Sequence, residues 1–434
     1  MKMHGWGRYP VIDAEVYAPG SLDDLKTMCA TTAAGMTPRG LGRSYGDSSL
    51  GEQMLSSRRL NHFLAFDAAT GVLQSEAGVS LSDILQVFIP KGWFLPVTPG
   101  TQFVTIGGAI ASDVHGKNHH VAGCFCDHVA HLDILLDAER IIRCSPQEHP
   151  DLFHATCGGM GLTGMIISAA IRLKPIKSAF IDQTTFKARN LEESLDLFNI
   201  HASAPYSVAW IDCITGGPSL GRSLLMTGDH TTEGPLTLNT KARIGLPLDM
   251  PSILLNRYSI QAFNTLYYNR ITKDAVQSHV HYEPFFYPLD SINDWNRMYG
   301  KNGFTQYQFA VPKDAGRNAM DAILKTIVDA GKGSFLAVLK AFGKQNNNLL
   351  SFPIEGYTLA LDFKIEPELF RLLDRLDSMV LDYGGRIYLT KDARMSPATF
   401  RIGYKELEAF QAVRNTYRTA GMFRSHQSLR LGLD

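Results

Sequence analysis

The features of this chain best suited to chemistry are three glycine-rich loops within its first 165 residues. They occupy residues 38–47, 99–120 and 159–164. Glycine and serine allow consecutive backbone N–H groups to face a phosphate, and small side chains allow a flat ligand to approach the backbone closely. Three such loops so near one another are hard to explain as turns alone. Together they indicate a ligand with a pyrophosphate and a planar ring.

None of the loops has the setting of the usual dinucleotide-binding fingerprint. The glycines of the first loop are spaced one residue too wide at the third position. The third loop does match G-x-G-x-x-G, at Gly159, Gly161 and Gly164, but it follows a helical stretch and precedes a strand, which inverts the expected order. A tight turn between helix and strand is therefore the alternative interpretation of that loop.

A cluster of histidines and cysteines in one segment raises the question of a metal site. Its members are His115, His119, His120, Cys124, Cys126 and His128. Convergence of His115 and His119 would need a helix, yet Gly116 and Gly123 interrupt one, and the C-x₂-C spacing of zinc sites is absent. We therefore predict no metal, and a buried structural role for His119, His120 and His128.

Polar residues later in the chain are candidates for substrate contact. Gln306 and Gln308 alternate with Tyr307, so both would lie on one face of a strand, where their amides could bind sugar hydroxyls. A polar outer face is the alternative. Lys340 and Lys391 each fall at a strand end, where a solvated lysine is as good an interpretation as a functional one.

Composition limits the function classes. The 434 residues carry 42 Lys+Arg against 42 Asp+Glu, so there is no net positive charge to bind a nucleic-acid backbone, and we predict no nucleic-acid partner. A hydrophobic content of 45% excludes disorder and gives enough apolar residues for two or three domains. Six irregularly spaced cysteines favour a reducing compartment.

Location follows from the same sequence. The first ten residues lack the apolar core of a signal peptide, and the uncharged stretch 92–112 is broken by proline and glycine, so it does not predict a membrane helix. We therefore expect a cytoplasmic protein.

The predicted elements change in character near Pro175. Before it, a helix over 21–34, a hairpin over 63–75, a helix from Ser80, a hairpin over 129–143 and a helix from Pro150 alternate with the glycine loops. After it, the pattern predicts strands and amphipathic helices with few glycine loops. These are strands over 208–211, 304–311 and 357–363, helices over 191–198 and 314–330, and a mobile connection over 235–257. A cofactor domain followed by a substrate domain is the organisation this indicates.

At the level of whole motifs, the chain resembles the vanillyl-alcohol-oxidase superfamily, whose FAD domain is of the PCMH type. The resemblance is carried by the loop from Arg39, the Pro99 and Thr105 segments and the loop from Gly158. Segments beginning at Ala111, Phe304, Ser351 and Tyr388 are further similar to the branch of this superfamily that oxidises polyprenyl-phosphate-linked ribose.

The resemblance implies an α+β fold with a two-part FAD domain, residues 1–177 and 386–434, around a substrate domain, 178–385, whose antiparallel sheet is covered by helices. It implies that FAD contacts Arg39, Gly40, Leu41, Gly42, Arg43, Ser44, Tyr45, Gly46, Gly100, Thr105, Ile106, Gly107, Gly108, Ser112, His115, Ile166 and Tyr388. Many superfamily members carry, after the glycine pair of the first loop, a histidine bonded to the flavin. Arg43 stands there in this chain, so we expect non-covalent FAD.

The same resemblance assigns roles at the flavin. Lys391, Lys340, His115 and Tyr45 are the implied catalytic residues, and Gln306, Gln308, Tyr268, Trp210 and Lys340 the implied substrate contacts. Tyr45 and Tyr268 would contact a hydroxyl or relay a proton, with simple packing as the alternative. Trp210 is most simply a core residue. Where many members of the branch have a cysteine, this chain has Ala360, which implies altered sensitivity to thiol-directed inhibitors or a different substrate.

The resulting expectation is an FAD-dependent oxidoreductase that converts the 2′-hydroxyl of a polyprenyl-phospho-β-D-ribose, or a similar activated pentose, to the ketone. A short-chain NAD(P)H-dependent reductase would complete a 2′-epimerisation for arabinose-type cell-envelope glycans. The lipid-linked substrate implies peripheral contact with the inner membrane face, for which the apolar stretch 246–255 is the candidate. A soluble aldonolactone or alditol oxidase and a non-enzymatic flavin-binding docking subunit are the alternatives.

Overall fold

The N-terminal part of the chain is built from short strands and helices that frame the glycine loops. The computed structural model describes residues 1–31, 35–238, 244–251 and 254–433. The strands up to residue 177 are β1 (Lys2–His4), β2 (Val11–Asp13), β3 (Glu15–Tyr17), β4 (Met36–Arg39), β5 (Gln53–Ser56), β6 (Phe63–Asp67), β7 (Val72–Glu76), β8 (Trp93–Phe94), β9 (Val129–Leu135), β10 (Ile141–Cys144), β11 (Met165–Arg172) and β12 (Lys174–Pro175). The helices are α1 (Leu22–Thr31), α2 (Leu81–Phe88), α3 (Ile106–Ala111), α4 (His119–Ala122) and α5 (Pro150–Thr156).

Both predicted hairpins form, and they lie in one five-stranded sheet with the order β10-β9-β11-β7-β6. A separate three-stranded parallel sheet, β3-β5-β4, leads into the first glycine loop. Helix α2 starts where Ser80 forms a capping box with Asp83, and the turn after it ends at Gly92 in the left-handed region. The end of the first predicted helix, 32–34, lies outside the described residues.

The second part of the chain is dominated by one large antiparallel sheet with covering helices. Its strands are β13 (Phe180–Ala188), β14 (Tyr206–Ile211), β15 (Ser223–His230), β16 (Ile244–Gly245), β17 (Ala275–His281), β18 (Ile292–Asn293), β19 (Phe304–Pro312), β20 (Ala337–Phe342), β21 (Gly356–Lys364) and β22 (Arg386–Ile387). The helices are α6 (Leu191–Ile200), α7 (Arg257–Asn269), α8 (Tyr282–Phe286), α9 (Gly316–Asp329), α10 (Leu369–Asp382), α11 (Pro397–Gly403), α12 (Leu407–Thr416) and α13 (His426–Leu431).

Eight of these strands pair in the order β17-β13-β15-β14-β20-β21-β19-β22. This sheet and the mixture of elements before it confirm the predicted α+β class. The three strands predicted after residue 200 all lie in the sheet. The predicted connection over 235–257 lies partly outside the described residues, so its mobility stays a prediction.

Residue alternation along the strands gives the large sheet one apolar face and one polar face. Tyr307, Phe309 and Leu359 point to the face covered by α6, α9 and α10, where they join the main hydrophobic core. The opposite face carries a row of Cα partners, in which Gln308 pairs with Ala360, Ala360 with Val338, and Val338 with Trp210. Gln306 and Gln308 therefore share a face, as their spacing predicts.

The stretch 92–112 forms β8, a turn-rich loop and α3. In the described part of the chain, no helix is long and apolar enough to cross a bilayer.

The C-terminal segment is joined to the first glycine loop by a buried charge network. Arg430, on α13, donates to both Asp47 oxygens at 3.0 and 2.8 Å and to Asp392 at 2.8 Å. The side chains of the two aspartates are almost completely buried. The contact joins the C-terminal segment to the first glycine loop, and the division into 1–177, 178–385 and 386–434 stays a prediction.

We predict that Arg430→Met lowers the free energy of unfolding by about 3 kcal/mol, because it leaves two buried carboxylates facing each other without the guanidinium that bridges them. Urea denaturation followed by circular dichroism measures the loss. Arg401→Met, which removes an exposed arginine from α11, is the matched control and should change stability by less than about 0.5 kcal/mol. Equal free energies of unfolding for the two variants would contradict a stabilising role for Arg430.

Candidate active site

A cavity of about 350 Å³ lies between the glycine loops and the polar face of the large sheet. Most residues that the sequence assigns to cofactor or substrate line it. They are Arg39, Gly40, Leu41, Gly42, Arg43, Ser44, Tyr45, Gly100, Thr105, Gly107, Gly108, Ser112, His115, Ile166, Trp210, Gln306, Gln308, Lys340, Tyr388 and Lys391. Residues about 350 positions apart in the sequence therefore line the same cavity.

Three of the assigned residues lie behind the wall. Gly46 backs onto the chain at Asp392, where a Cβ atom would come 1.8 Å from the carbonyl oxygen. Ile106 is a core residue. Tyr268 packs against Trp210 and donates its hydroxyl to the Ala188 carbonyl at 3.1 Å, while its neighbour Tyr267 lines the cavity instead. The predicted substrate contact of Tyr268 is therefore not supported by its position.

The glycine loops pack so closely that side chains are excluded. A Cβ atom on Gly40 would lie 2.2 Å from Thr105 Oγ1, and one on Gly107 would lie 3.1 Å from Ala77. Thr105 is the N-cap of α3 and accepts from the Gly108 N–H at 3.1 Å. Gly161 and Gly164 both have positive φ, and both line the cavity between α5 and β11. The third loop is thus both a helix-to-strand turn and part of the wall.

Two aromatic contacts orient the cations of the first loop and of the segment after β22. The Arg43 guanidinium lies 3.9 Å from the centre of the Trp6 ring, and the Lys391 ammonium lies 3.8 Å from the centre of the Tyr45 ring. Tyr45 is half-buried at the cavity wall, and desolvation raises the pKa of its hydroxyl well above the ordinary value. Tyr45 therefore faces the cavity as a neutral phenol.

Three lysines line the cavity: Lys117, Lys340 and Lys391. Burial lowers the pKa of Lys340 to about 8, and burial together with the charge of Lys340 lowers the pKa of Lys117 to about 7. Burial also lowers the pKa of Lys391, against the opposing charge of Asp362. Neither Lys117 nor Lys340 forms an ion pair with a carboxylate of the described residues. The cavity thus carries positive charge that a bound anion would stabilise.

Lys117 and Asp362 are the two groups that sequence reasoning missed. Lys117 is only two residues beyond His115, and its ammonium donates to the Phe285 carbonyl. Asp362 is buried opposite Gln306 in the strand register, and Gln306 Nε2 donates to its Oδ1 at 2.6 Å. Burial raises the pKa of Asp362. Its position two residues after Ala360 on a strand is the signal that could have found it.

His115 is buried beside Phe342 and Tyr388 at the edge of the cavity. Burial, and to a smaller extent the charges of Lys340, His119 and Lys391, lowers the pKa of His115 well below its ordinary value. The imidazole is therefore neutral at physiological pH.

The other members of the histidine and cysteine cluster bond to the surrounding chain. His119 accepts from the Gly343 N–H at 3.1 Å, while His120 and His128 contact the carbonyls of Ala204 and Ala122 at 2.8 and 2.9 Å. In the ranges that the structure describes, no three His, Cys, Asp or Glu side chains are arranged to hold a metal ion.

Comparison with known proteins agrees with this architecture. Residues 14–145 match the FAD binding domain family. Decaprenylphosphoryl-beta-D-ribose oxidase of Mycolicibacterium smegmatis is 35% identical over an alignment that covers all of this chain and 97% of that protein. Delta(24)-sterol reductase of Homo sapiens is 28% identical over 42% of this chain and 34% of its own, and D-lactate dehydrogenase of Anaerostipes hadrus is 24% identical over 49% and 46%.

The similarity to the ribose oxidase extends from end to end, and the FAD domain match covers the first two glycine loops. The chain therefore belongs to the decaprenylphosphoryl-ribose oxidase family and is an FAD-dependent oxidoreductase of the PCMH type.

Proposed function

We propose that this enzyme oxidises the 2′-hydroxyl of a polyprenyl-phospho-β-D-ribose, or a closely similar activated pentose, to the 2′-ketone. The observation that carries the proposal is the wall opposite the glycine loops, where Lys391 and Lys340 flank Gln306 and Gln308 in one cavity. Amides suit sugar hydroxyls, and ammonium groups suit a phosphate. The end-to-end relative is named for an oxidase of this class of substrate.

The glycine loops fit FAD. The close approach of Gly40 to Thr105 leaves backbone rather than side chain at the surface, which suits a pyrophosphate, and the small residues at 107–108 and 111–112 suit a flat ring. Residues 39–45 and 105–108 would hold the pyrophosphate, with Ser112, Ile166 and Tyr388 near the ring. FAD, when bound, supplies the acceptor for the hydride from the carbinol carbon.

The lysines of the chain provide the charge that this reaction requires. Oxidation of a secondary alcohol removes a hydride from carbon and a proton from oxygen, so a proton acceptor and a stabilising cation are both needed. Lys391 is suited to the first of these tasks because burial lowers its pKa, which makes the neutral amine available to accept the hydroxyl proton and become an ammonium. Lys340 and Lys117 would neutralise the substrate phosphate.

Oxidation to the ketone would be the first half of an epimerisation. Reduction of the ketone from the opposite face by a short-chain NAD(P)H-dependent reductase would give the arabinose configuration, and the two enzymes would supply arabinose-type cell-envelope glycans. This partnership follows from the chemistry of the product together with the family resemblance.

A lipid-linked substrate also requires access to a membrane surface. We assign that contact to residues 246–255 at the inner face of the membrane, in a protein that is otherwise cytoplasmic. Leu248 and Leu254 are 76% and 48% exposed, and on the adjoining helix α7 Leu266 is 75% exposed. Tyr267, the next residue on that helix, lines the cavity, so the apolar surface adjoins the site.

The assay for this function uses synthetic farnesylphosphoryl-β-D-ribose with an artificial electron acceptor, followed by borodeuteride reduction of the product. We expect deuterium at C2 of both ribose and arabinose. Lys391→Met should lower kcat about 10²–10³-fold while FAD stays bound, because it removes the group that would accept the hydroxyl proton. Lys405→Met, at an exposed position, is the control. Oxidation of an aldonolactone but not of the phosphoribose would contradict the proposal.

The FAD should be dissociable, because Arg43, which forms no covalent bond to flavin, occupies the position of the linking histidine. Acid precipitation of the purified enzyme followed by visible spectroscopy tests this. We expect the yellow flavin spectrum in the supernatant. Flavin retained in the pellet would contradict the prediction and favour the alditol-oxidase alternative.

The enzyme should resist small thiol-directed reagents such as N-ethylmaleimide. All six cysteines are buried, and burial raises the pKa of each thiol, which keeps it protonated and unreactive. Ala360 lines the cavity, so Ala360→Cys should introduce time-dependent inactivation that bound substrate slows. Ala360→Ser is the matched control and should remain resistant. Inactivation of the native enzyme at the same rate would overturn this account.

A further inference from the structure

Thr358 determines which atoms donate and which accept in the hydrogen bonds around Gln308. The Thr358 hydroxyl donates its one hydrogen to the Phe309 carbonyl at 2.8 Å. Toward any other group Thr358 Oγ1 can therefore only accept. Gln308 lies 3.2 Å from that oxygen, so the end of its amide that meets Thr358 must be the NH₂ group. Thr358 is 1% exposed and Gln308 3%, so water does not compete for these bonds.

The orientation of the Gln308 amide also determines which nitrogen of His115 carries a proton. Gln308 Nε2 also lies 3.0 Å from His115 Nε2. Since the amide nitrogen is a donor, His115 Nε2 must hold its lone pair toward it, and the neutral imidazole carries its proton on Nδ1. Both amide hydrogens are then used within the protein. The Gln308 Oε1 atom receives no hydrogen bond from the described residues, and Gln308 lines the cavity.

We propose that Thr358 is a positioning residue that fixes the Gln308 amide so that it presents an oxygen acceptor, and no donor, to the sugar ring. The ligand group that fits this oxygen is a sugar hydroxyl that donates a hydrogen bond. His115 is held in the same arrangement as a neutral tautomer whose Nε2 lone pair is occupied, so it does not accept the substrate proton. This inference rests on the proposed function for the identity of the substrate.

The surroundings of His115 support the neutral state. The charged and titratable groups that act on the ring are Lys340 on β20, His119 on α4 and Lys391 after β22, and each of them lowers its pKa. Ala360, the Cα partner of Gln308, adds no competing polar group beside the amide. At this wall of the cavity, the lysines therefore take up a proton more readily than the His115 imidazole.

Thr358→Val tests the proposal, because it keeps the shape of the side chain and removes the acceptor that orients the amide. We expect KM for farnesylphosphoryl-ribose to rise about fivefold, as the amide becomes free to turn its NH₂ group into the cavity. Thr358→Ser restores the hydroxyl and should return KM to the native value. In the native enzyme, the 3-deoxy form of the substrate should show a similar rise in KM, and Thr358→Val should add little to it.

A second measurement reads the direction without turnover. Nitrogen-15 NMR of histidine-labelled holoenzyme, with the His115 signals identified by their loss in His115→Gln, should show a neutral ring protonated at Nδ1 from pH 6 to 8. Thr358→Val should move this population toward the Nε2-protonated tautomer. The proposal would be overturned if Thr358→Val left the His115 tautomer unchanged and also left unchanged the ratio of KM for the 3-deoxy substrate to KM for the parent substrate. Failure of the native enzyme to oxidise phosphoribose at all would instead contradict the proposed function.

Discussion

Positive charge gathered on three half-buried lysines of one cavity is the constraint on which the rest of the site depends. Removal of an ammonium group from water costs several kcal/mol even after a protein relaxes around it. The described residues offset this desolvation free energy only in part. The Phe285 carbonyl accepts a hydrogen bond from Lys117, while the Tyr45 ring and the more distant Asp362 stabilise the charge of Lys391. A polyanionic cofactor and a phosphate-bearing substrate are the groups that would stabilise the remainder.

The same constraint explains why the cavity lies between two differently built layers. Phosphate binding requires exposed backbone, so one wall is made of loops where glycines approach within van der Waals contact of their neighbours. Alignment of a sugar requires side chains of fixed direction, so the other wall is an antiparallel sheet, in which every second residue faces the ligand. The partly buried ion pair between Arg430 and Asp47 joins the loops to the C-terminal segment that carries Lys391.

Much of this arrangement could be predicted from local patterns. The glycine loops, the two hairpins and the alternation of Gln306 with Gln308 are properties of neighbouring residues, and each gives a correct element in the structure. Tyr268 shows the limit of such patterns, because its helix turns Tyr267 rather than Tyr268 into the cavity, and helix rotation depends on distant packing against Trp210. Lys117 and Asp362 were missed because their roles depend on contacts with residues 168 and 56 positions away.

The polar wall illustrates how a small change on one strand reorganises a site without changing the fold. Thr358, Ala360 and Asp362 occupy successive positions on the cavity side of β21, facing Lys340, Gln308 and Gln306 in the register. Each can differ without disturbing the apolar face, because the core side of this strand is formed by the alternating residues Tyr357, Leu359, Leu361 and Phe363. We therefore expect Ala360 to affect which reagents and substrates fit, while the hydrogen bonds that Gln308 donates to Thr358 and Gln306 donates to Asp362 keep the two glutamines in place.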